Sequence, residues 1–302
     1  MPSLYAGCKC GGTLCGGSFR GGAKKSVGRG SVNAYPHLPT GRWLRVTSVS
    51  QRNSQSGSSR TLRRKSPSKA AINTFRRQVL AWGQRCGRDF PWRRAQASNY
   101  ERVISEVLLQ RTRAEVVGSI FQQFLRCYPS WRALAQANAN RLREFLRPLG
   151  LWRRRALSMK KLSRVVTQGR SRFPKTREEL EKLPAVGQYV ASAVLLFCHG
   201  EPEPLVDTNM ARVVERYFGP RALADIRYDP YLQRLTRDIV RSRTPALVNW
   251  AILDLGALIC VPRDPRCEKC PLRGGCKDLA HKDRKRRTSL AGKVCRNRIS
   301  LR

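Results

Sequence analysis

The stretch that most constrains the fold is Leu183-Pro184-Ala185-Val186-Gly187-Gln188-Tyr189, with Asp207 following eighteen residues after Tyr189. Ahead of it, residues 176–182 are short, charged and helical, with Thr176 placed as N-cap and Glu179 three residues on. Behind it, Gln188 to Cys198 is small and apolar, the composition of a buried helix. Pro184 and Gly187 force a tight hairpin between the two. Such a hairpin turns backbone N–H groups outward at a helix N-terminus, an arrangement that suits a phosphate oxygen. Its shape alone fits an ordinary αα-hairpin equally well.

The rest of 71–276 also reads as helix. Ile72 to Cys86, Tyr100 to Gln110, Ala114 to Tyr128, Asn140 to Leu146 and Arg154 to Val166 carry apolar residues at three- and four-residue spacing. Asp207 to Phe218, Pro230 to Val240 and Pro245 to Ile259 do the same. No alternating pattern is long enough to build a sheet, so the expected fold class is all-α. No apolar run approaches the ~18 residues of a membrane span, and no membrane partner is expected.

Lys and Arg number 60 against 20 Asp and Glu, a net charge of +40. An excess of this size points to a polyanion. Part of it lies at the ends. Residues 1–70 hold thirteen basic and no acidic residues among many Gly and Ser, and read as a disordered basic extension. A DNA-binding arm, an organelle transit peptide and sequence upstream of the true start all fit that extension. Residues 277–302 form a basic tail with ten Lys or Arg and two Asp. Residues 71–276 alone keep 37 basic against 18 acidic residues, so the core's own surface is expected to face nucleic acid.

Three features inside the core can carry chemistry. Glu106 falls on the apolar side of its helix, where a carboxylate is costly unless it is partnered or functional. Trp152, at the start of a basic helix, stands before Arg153, Arg154 and Arg155, a set suited either to a solvated face or to clamping DNA. Cys260, Cys267, Cys270 and Cys276 give C-x6-C-x2-C-x5-C within seventeen residues. Four thiols so close mean a metal or cluster site or a disulfide knot. Cys86, Cys127 and Cys198, placed singly in expected helices, argue against disulfides. Zinc more often takes two C-x-x-C pairs, and one is present.

The wording L-P-x-V-G-x-Y-V-A followed by Val206-Asp207-Thr208-Asn209 resembles the helix-hairpin-helix DNA glycosylases related to endonuclease III. The segments P-W-R (91–93) and E-V-L-L-Q-R-T (106–112) are similar to the opening of the adenine and thymine mismatch glycosylases. The cysteine spacing matches the [4Fe–4S] loop of the same relatives. The resemblance covers roughly 75–276. It implies that Asp207 is the catalytic carboxylate and that Glu106 lines the base pocket. It implies that Gln110 and Arg111 enter the duplex, and that Leu183, Ala185, Val186 and Gly187 grip the DNA backbone; around Trp152 the adenine-specific members usually have an aromatic pair, which this chain lacks. It implies a [4Fe–4S] cluster on Cys260, Cys267, Cys270 and Cys276, with structural support as its role.

Breaking an N-glycosidic bond places positive charge on the sugar, which a carboxylate beside the anomeric carbon stabilises. The base must first leave the stack, and its departure needs a proton or hydrogen bond, for which Glu106 and Tyr189 are the candidates. Bifunctional relatives carry a lysine at the first turn after the hairpin. Tyr189 stands there, and a phenol cannot form a Schiff base, so a monofunctional enzyme without lyase activity is expected. Tyrosine at this place is found in the G:T-mismatch thymine glycosylases, while adenine glycosylases usually carry Ser and a further 8-oxoguanine-reading domain, which we do not expect here.

The resulting expectation is a base-excision repair glycosylase made of two helical domains. A six-helix domain with the hairpin spans 91–201, and 71–90 joins 202–276 around the cluster. The active cleft lies between them. The substrate is thymine or uracil opposite guanine in double-stranded DNA. Adenine opposite guanine or 8-oxoguanine is the alternative, and a DNA-binding module without catalysis is the reading of another class. A monomer is expected, on the nucleoid in the cytoplasm of a bacterium or archaeon, with organelle targeting left open.

Overall fold

The computed structural model describes residues 66–284 apart from Ser171. The expected disorder of 1–70 thus lies outside the described residues up to position 65. Lys69 and Ala70 already belong to α1 (Lys69–Cys86), because the Ser68 hydroxyl accepts from the Ala71 N–H and starts the helix there. At the other end, residues 277–284 continue from the cysteine loop as a helix, and the rest of the basic tail lies outside the described residues.

Among the described residues every regular element is helical. After α1 come α2 (Asn99–Leu109), α3 (Ala114–Cys127), α4 (Trp131–Gln136), α5 (Ala139–Phe145) and α6 (Trp152–Gln168). Then follow α7 (Arg177–Glu181), α8 (Gln188–Cys198), α9 (Thr208–Phe218), α10 (Pro230–Val240) and α11 (Pro245–Leu258). The all-α expectation holds. Helix α4 has no counterpart in the sequence reading. It is only six residues long, too short to show a period, although Ser130 caps it through the Ala133 N–H. No helix among the described residues is long and apolar enough to cross a membrane.

Helices α2 and α7 have their N-termini fixed by side chains. Ser98 and Glu101 close a reciprocal capping box on α2, worth about 1 kcal/mol. Thr176 accepts from the Glu179 N–H as expected, and its own hydroxyl donates to the Glu179 carboxylate at 2.9 Å.

The described helices fall within one compact unit and bury two hydrophobic clusters. The first is built on α2 to α6 with Phe90 and Trp92. The second joins α1, α9, α10 and α11. Helix α8 belongs to both: Val190, Ala191, Val194 and Leu195 enter the first, Ala193 and Leu196 the second. A helix apolar all round is one that must be covered all round. Tyr189, in its first turn, packs against both clusters.

Candidate active site

Helix α2 ends beside the hairpin and presents Glu106 and Gln110, one turn apart, on the same side. The Tyr189 hydroxyl donates to Glu106 Oε2 at 3.1 Å. One turn on, Gln110 Nε2 donates to the Ala185 carbonyl at 3.1 Å. Glu106 is 3% exposed. Burial pushes its carboxyl up to about 7, with Tyr189 and Arg93 pulling it down and Asp207 adding to the rise. Near neutrality this group is divided between its acid and its anion. Burial, followed by the charges of Glu106 and Asp207, holds the Tyr189 phenol far above its usual range. It stays protonated and donates.

Asp207 is the N-cap of α9. Its Oδ1 accepts from the Asn209 and Met210 N–H groups at 2.8 and 2.7 Å, and its Oδ2 accepts from Asn209 Nδ2 at 2.8 Å. Burial raises its pKa, while these bonds and Arg212 restrain the rise. Asn209 is itself held, its Oδ1 accepting from Arg212 Nη2 at 2.7 Å. Arg212 also donates to the carbonyls of Gly256 and Cys260, each at 2.7 Å. A Cβ on Gly256 would stand 2.7 Å from Asn209 Cβ, so glycine is what lets α11 approach the start of α9.

Val186 N–H donates to the Leu183 carbonyl at 3.2 Å, closing a turn in which Pro184 precedes Ala185 at φ 65. The left-handed residue is therefore Ala185, while Gly187 is extended at φ −102. Gly187 is exposed, with open space where a side chain would stand, and α8 has no side-chain cap. Its first N–H groups are left for an outside acceptor.

Gln110 and Arg111 are both exposed in the turn after α2, Arg111 at φ 56. Trp152 opens α6, half-buried against the first cluster, with the Arg153 guanidinium 4.0 Å from its ring centre. The three arginines beside it do not act together. Arg153 and Arg154 are exposed, whereas Arg155 turns inward and bonds the end of α2.

Cys260, Cys267, Cys270 and Cys276 line one small pocket with Arg216 and Arg273, and none forms a disulfide. Arg216 Nη1 donates to Cys260 Sγ at 3.3 Å, and Cys276 Sγ donates to the Arg216 carbonyl at 3.4 Å. Among the described residues no three His, Cys, Asp or Glu side chains close together as ligands of a single ion. An iron–sulfur cube holds its four thiolates farther apart than one ion does, and a guanidinium beside a cysteine sulfur suits an anionic centre. The donor set fits a [4Fe–4S] cluster. Arg263, Arg266, Lys269 and Arg273 lie exposed on this cysteine loop.

Residues 104–237 match the model of the HhH-GPD superfamily base excision DNA repair protein. A thymine-DNA glycosylase of Aeropyrum pernix is 37% identical over 69% of this chain and 95% of its own length. The chain belongs to the HhH-GPD superfamily of base excision DNA repair proteins. The structure of a thermostable thymine-DNA glycosylase superposes with a TM-score of 0.65 at 30% identity, covering 70% of this chain and 98% of that one. An adenine DNA glycosylase of Mycobacterium tuberculosis is 35% identical over 64% of each chain. As an HhH-GPD protein the chain works on DNA, as its surplus of positive charge requires.

Sequence reasoning passed over one further buried charged group. Asp254, 1% exposed, is paired with Arg93 at 2.7 Å and with Arg88 at 2.7 Å. A cavity of about 260 Å³ opens there, lined by both arginines, Asp254 and Trp250. Arg93 is shared between this cavity and Glu106, whose charge it favours. A carboxylate inside the apolar run 250–259 was the available signal.

Proposed function

We propose that the chain is a monofunctional glycosylase that hydrolyses the N-glycosidic bond of thymine or uracil mispaired with guanine. The observation that carries this reading is the bond between Tyr189 and Glu106 within the field of Asp207. Two acidic groups of different proton affinity stand close together, and a phenol occupies the position where a lyase needs an amine. The likeness to a thymine-DNA glycosylase supports the choice of base.

In this reading the hairpin backbone at Leu183, Ala185, Val186 and Gly187 receives a phosphate, and Gln110 and Arg111 fill the space of the departing base. Trp152 packs against DNA beside them. The glycosidic C–N bond breaks with its electron pair leaving on the base, whose charge is met by a proton or hydrogen bond from Glu106. The Asp207 carboxylate, fixed in orientation by its own helix, stabilises the positive sugar. Water completes the anomeric carbon, and its proton passes to a carboxylate of the site. Cys260, Cys267, Cys270 and Cys276 would hold a [4Fe–4S] cluster, whose role we read as a rigid centre for the basic loop. The two hydrophobic clusters are read as two domains, 91–201 and 71–90 with 202–276, whose cleft brings Tyr189 and Asp207 together.

The likeness to an adenine DNA glycosylase supports a second reading, adenine opposite guanine or 8-oxoguanine. A panel of G:T, G:U, G:A and 8-oxoguanine:A duplexes separates the two. The expected result is strand breakage in the G:T and G:U duplexes only after alkali. Strong 8-oxoguanine:A excision with none on G:T moves the chain to the adenine class, and breakage without alkali removes the monofunctional reading.

A further inference from the structure

We propose that Arg155 is a positioning residue that builds the turn carrying Gln110 and Arg111, an inference that rests on the reading of those two residues as the plug. The last carbonyls of an α-helix have no partner within it, and most helices satisfy them with glycine, water or a local side chain. Helix α2 instead uses an arginine from another helix. Arg155 Nη1 donates to the Val107 and Leu108 carbonyls at 2.9 and 3.0 Å. Its Nη2 donates to the Gln110 carbonyl at 2.8 Å and to Thr112 Oγ1 at 3.0 Å. Thr112 Oγ1 in turn donates to the Leu149 carbonyl at 3.1 Å, tying the same turn to the entry of α6.

Arg155 is 8% exposed and its Nε has no partner among the described residues. Burying a guanidinium is unfavourable unless its bonds are worth keeping, and these are concentrated on one short turn. That turn holds Arg111 at φ 56, a conformation that side chains other than glycine rarely adopt, with both Gln110 and Arg111 exposed at its tip. The fork of Arg155 reaches the carbonyls on either side of Leu109 at once, which a lysine's single ammonium cannot do. A rigid tip enters a duplex without first losing its own freedom, so the contribution of Arg155 is greatest where a base pair has to be opened.

The test compares single-turnover excision of thymine opposite guanine with thymine opposite a tetrahydrofuran abasic analogue, where no pair has to be broken. Arg155→Lys and Thr112→Val are the variants, the second keeping the side-chain shape and the buried guanidinium while removing the hydroxyl that Arg155 Nη2 bonds. The account expects each to lose about 10- to 100-fold on G:T and no more than about threefold opposite the analogue. Equal loss on both duplexes, or loss on neither, overturns the proposal. A 2-aminopurine placed beside the target reads plug entry independently of chemistry: the unmodified protein should raise its fluorescence and the variants should raise it less. If the unmodified protein raises that signal but excises neither thymine, the substrate reading fails while the fluorescence comparison still judges Arg155. Equal fluorescence in all three proteins then overturns the proposal.

Discussion

The Tyr189 hydroxyl lies 3.1 Å from Glu106 Oε2, joining the first turn of the hairpin helix to the buried side of α2. One turn further along α2, Gln110 meets Ala185 on the other side of the hairpin, so Gln110, the hairpin and the buried Glu106 share one register. Asp207 adds a second carboxyl whose field both Glu106 and Tyr189 feel.

This coupling fixes a pH dependence. Glu106 is expected to act as its acid form, so excision should fall as pH rises through about 7, and the raised Asp207 carboxyl should set the acid limb. Glu106→Gln should abolish the alkaline limb. Tyr189→Phe removes a bond that favours the anion, so it should move that limb to higher pH. Stability follows the same group. A carboxyl at about 7 folded and about 4.3 unfolded stabilises the fold below pH ~4.3, an effect lost as pH rises through ~7. Single-turnover rates against pH check this, and an alkaline limb unchanged in Glu106→Gln contradicts it.

Gly256→Ala tests the support behind Asp207. The added methyl must displace Asn209, which holds the Asp207 carboxylate. We expect a stability loss of about 1–3 kcal/mol in thermal melting and a slower excision step. A variant that melts and reacts like the unmodified protein would show that α9 tolerates the shift.

The cysteine loop should bind iron. Purified protein is expected to be brown, with about four irons per chain, and Cys267→Ser or Cys270→Ser should fold poorly. Metal analysis of anaerobically prepared protein decides it: stoichiometric zinc without iron rejects the cluster.

What was legible in the sequence was what lies close along it. The hairpin, the spacing to Asp207 and the four cysteines are local patterns, and the helices showed through their apolar period. What was missed depends on distant partners or on helix phase. Arg153, Arg154 and Arg155 look alike in sequence. Only the end of α2, some 45 residues away, decides which turns in. The Arg93–Asp254 pair spans 161 residues, beyond any local signal. The hairpin itself is legible from Pro184 and Gly187, but its left-handed residue is Ala185, a residue type that gives no local signal for that conformation.

The central claim is that Asp207 stabilises the sugar as the base departs. Asp207→Asn tests it while keeping the cap, because asparagine caps a helix as well as aspartate does and keeps an oxygen for the Asn209 and Met210 N–H groups, giving up only the bond from Asn209 Nδ2. The measurement is the single-turnover rate of thymine excision from a G:T duplex, with affinity for the same duplex determined alongside. The account predicts a rate lowered by about three orders of magnitude or more with affinity within a few-fold. Excision by Asp207→Asn at the rate of the unmodified protein would contradict it.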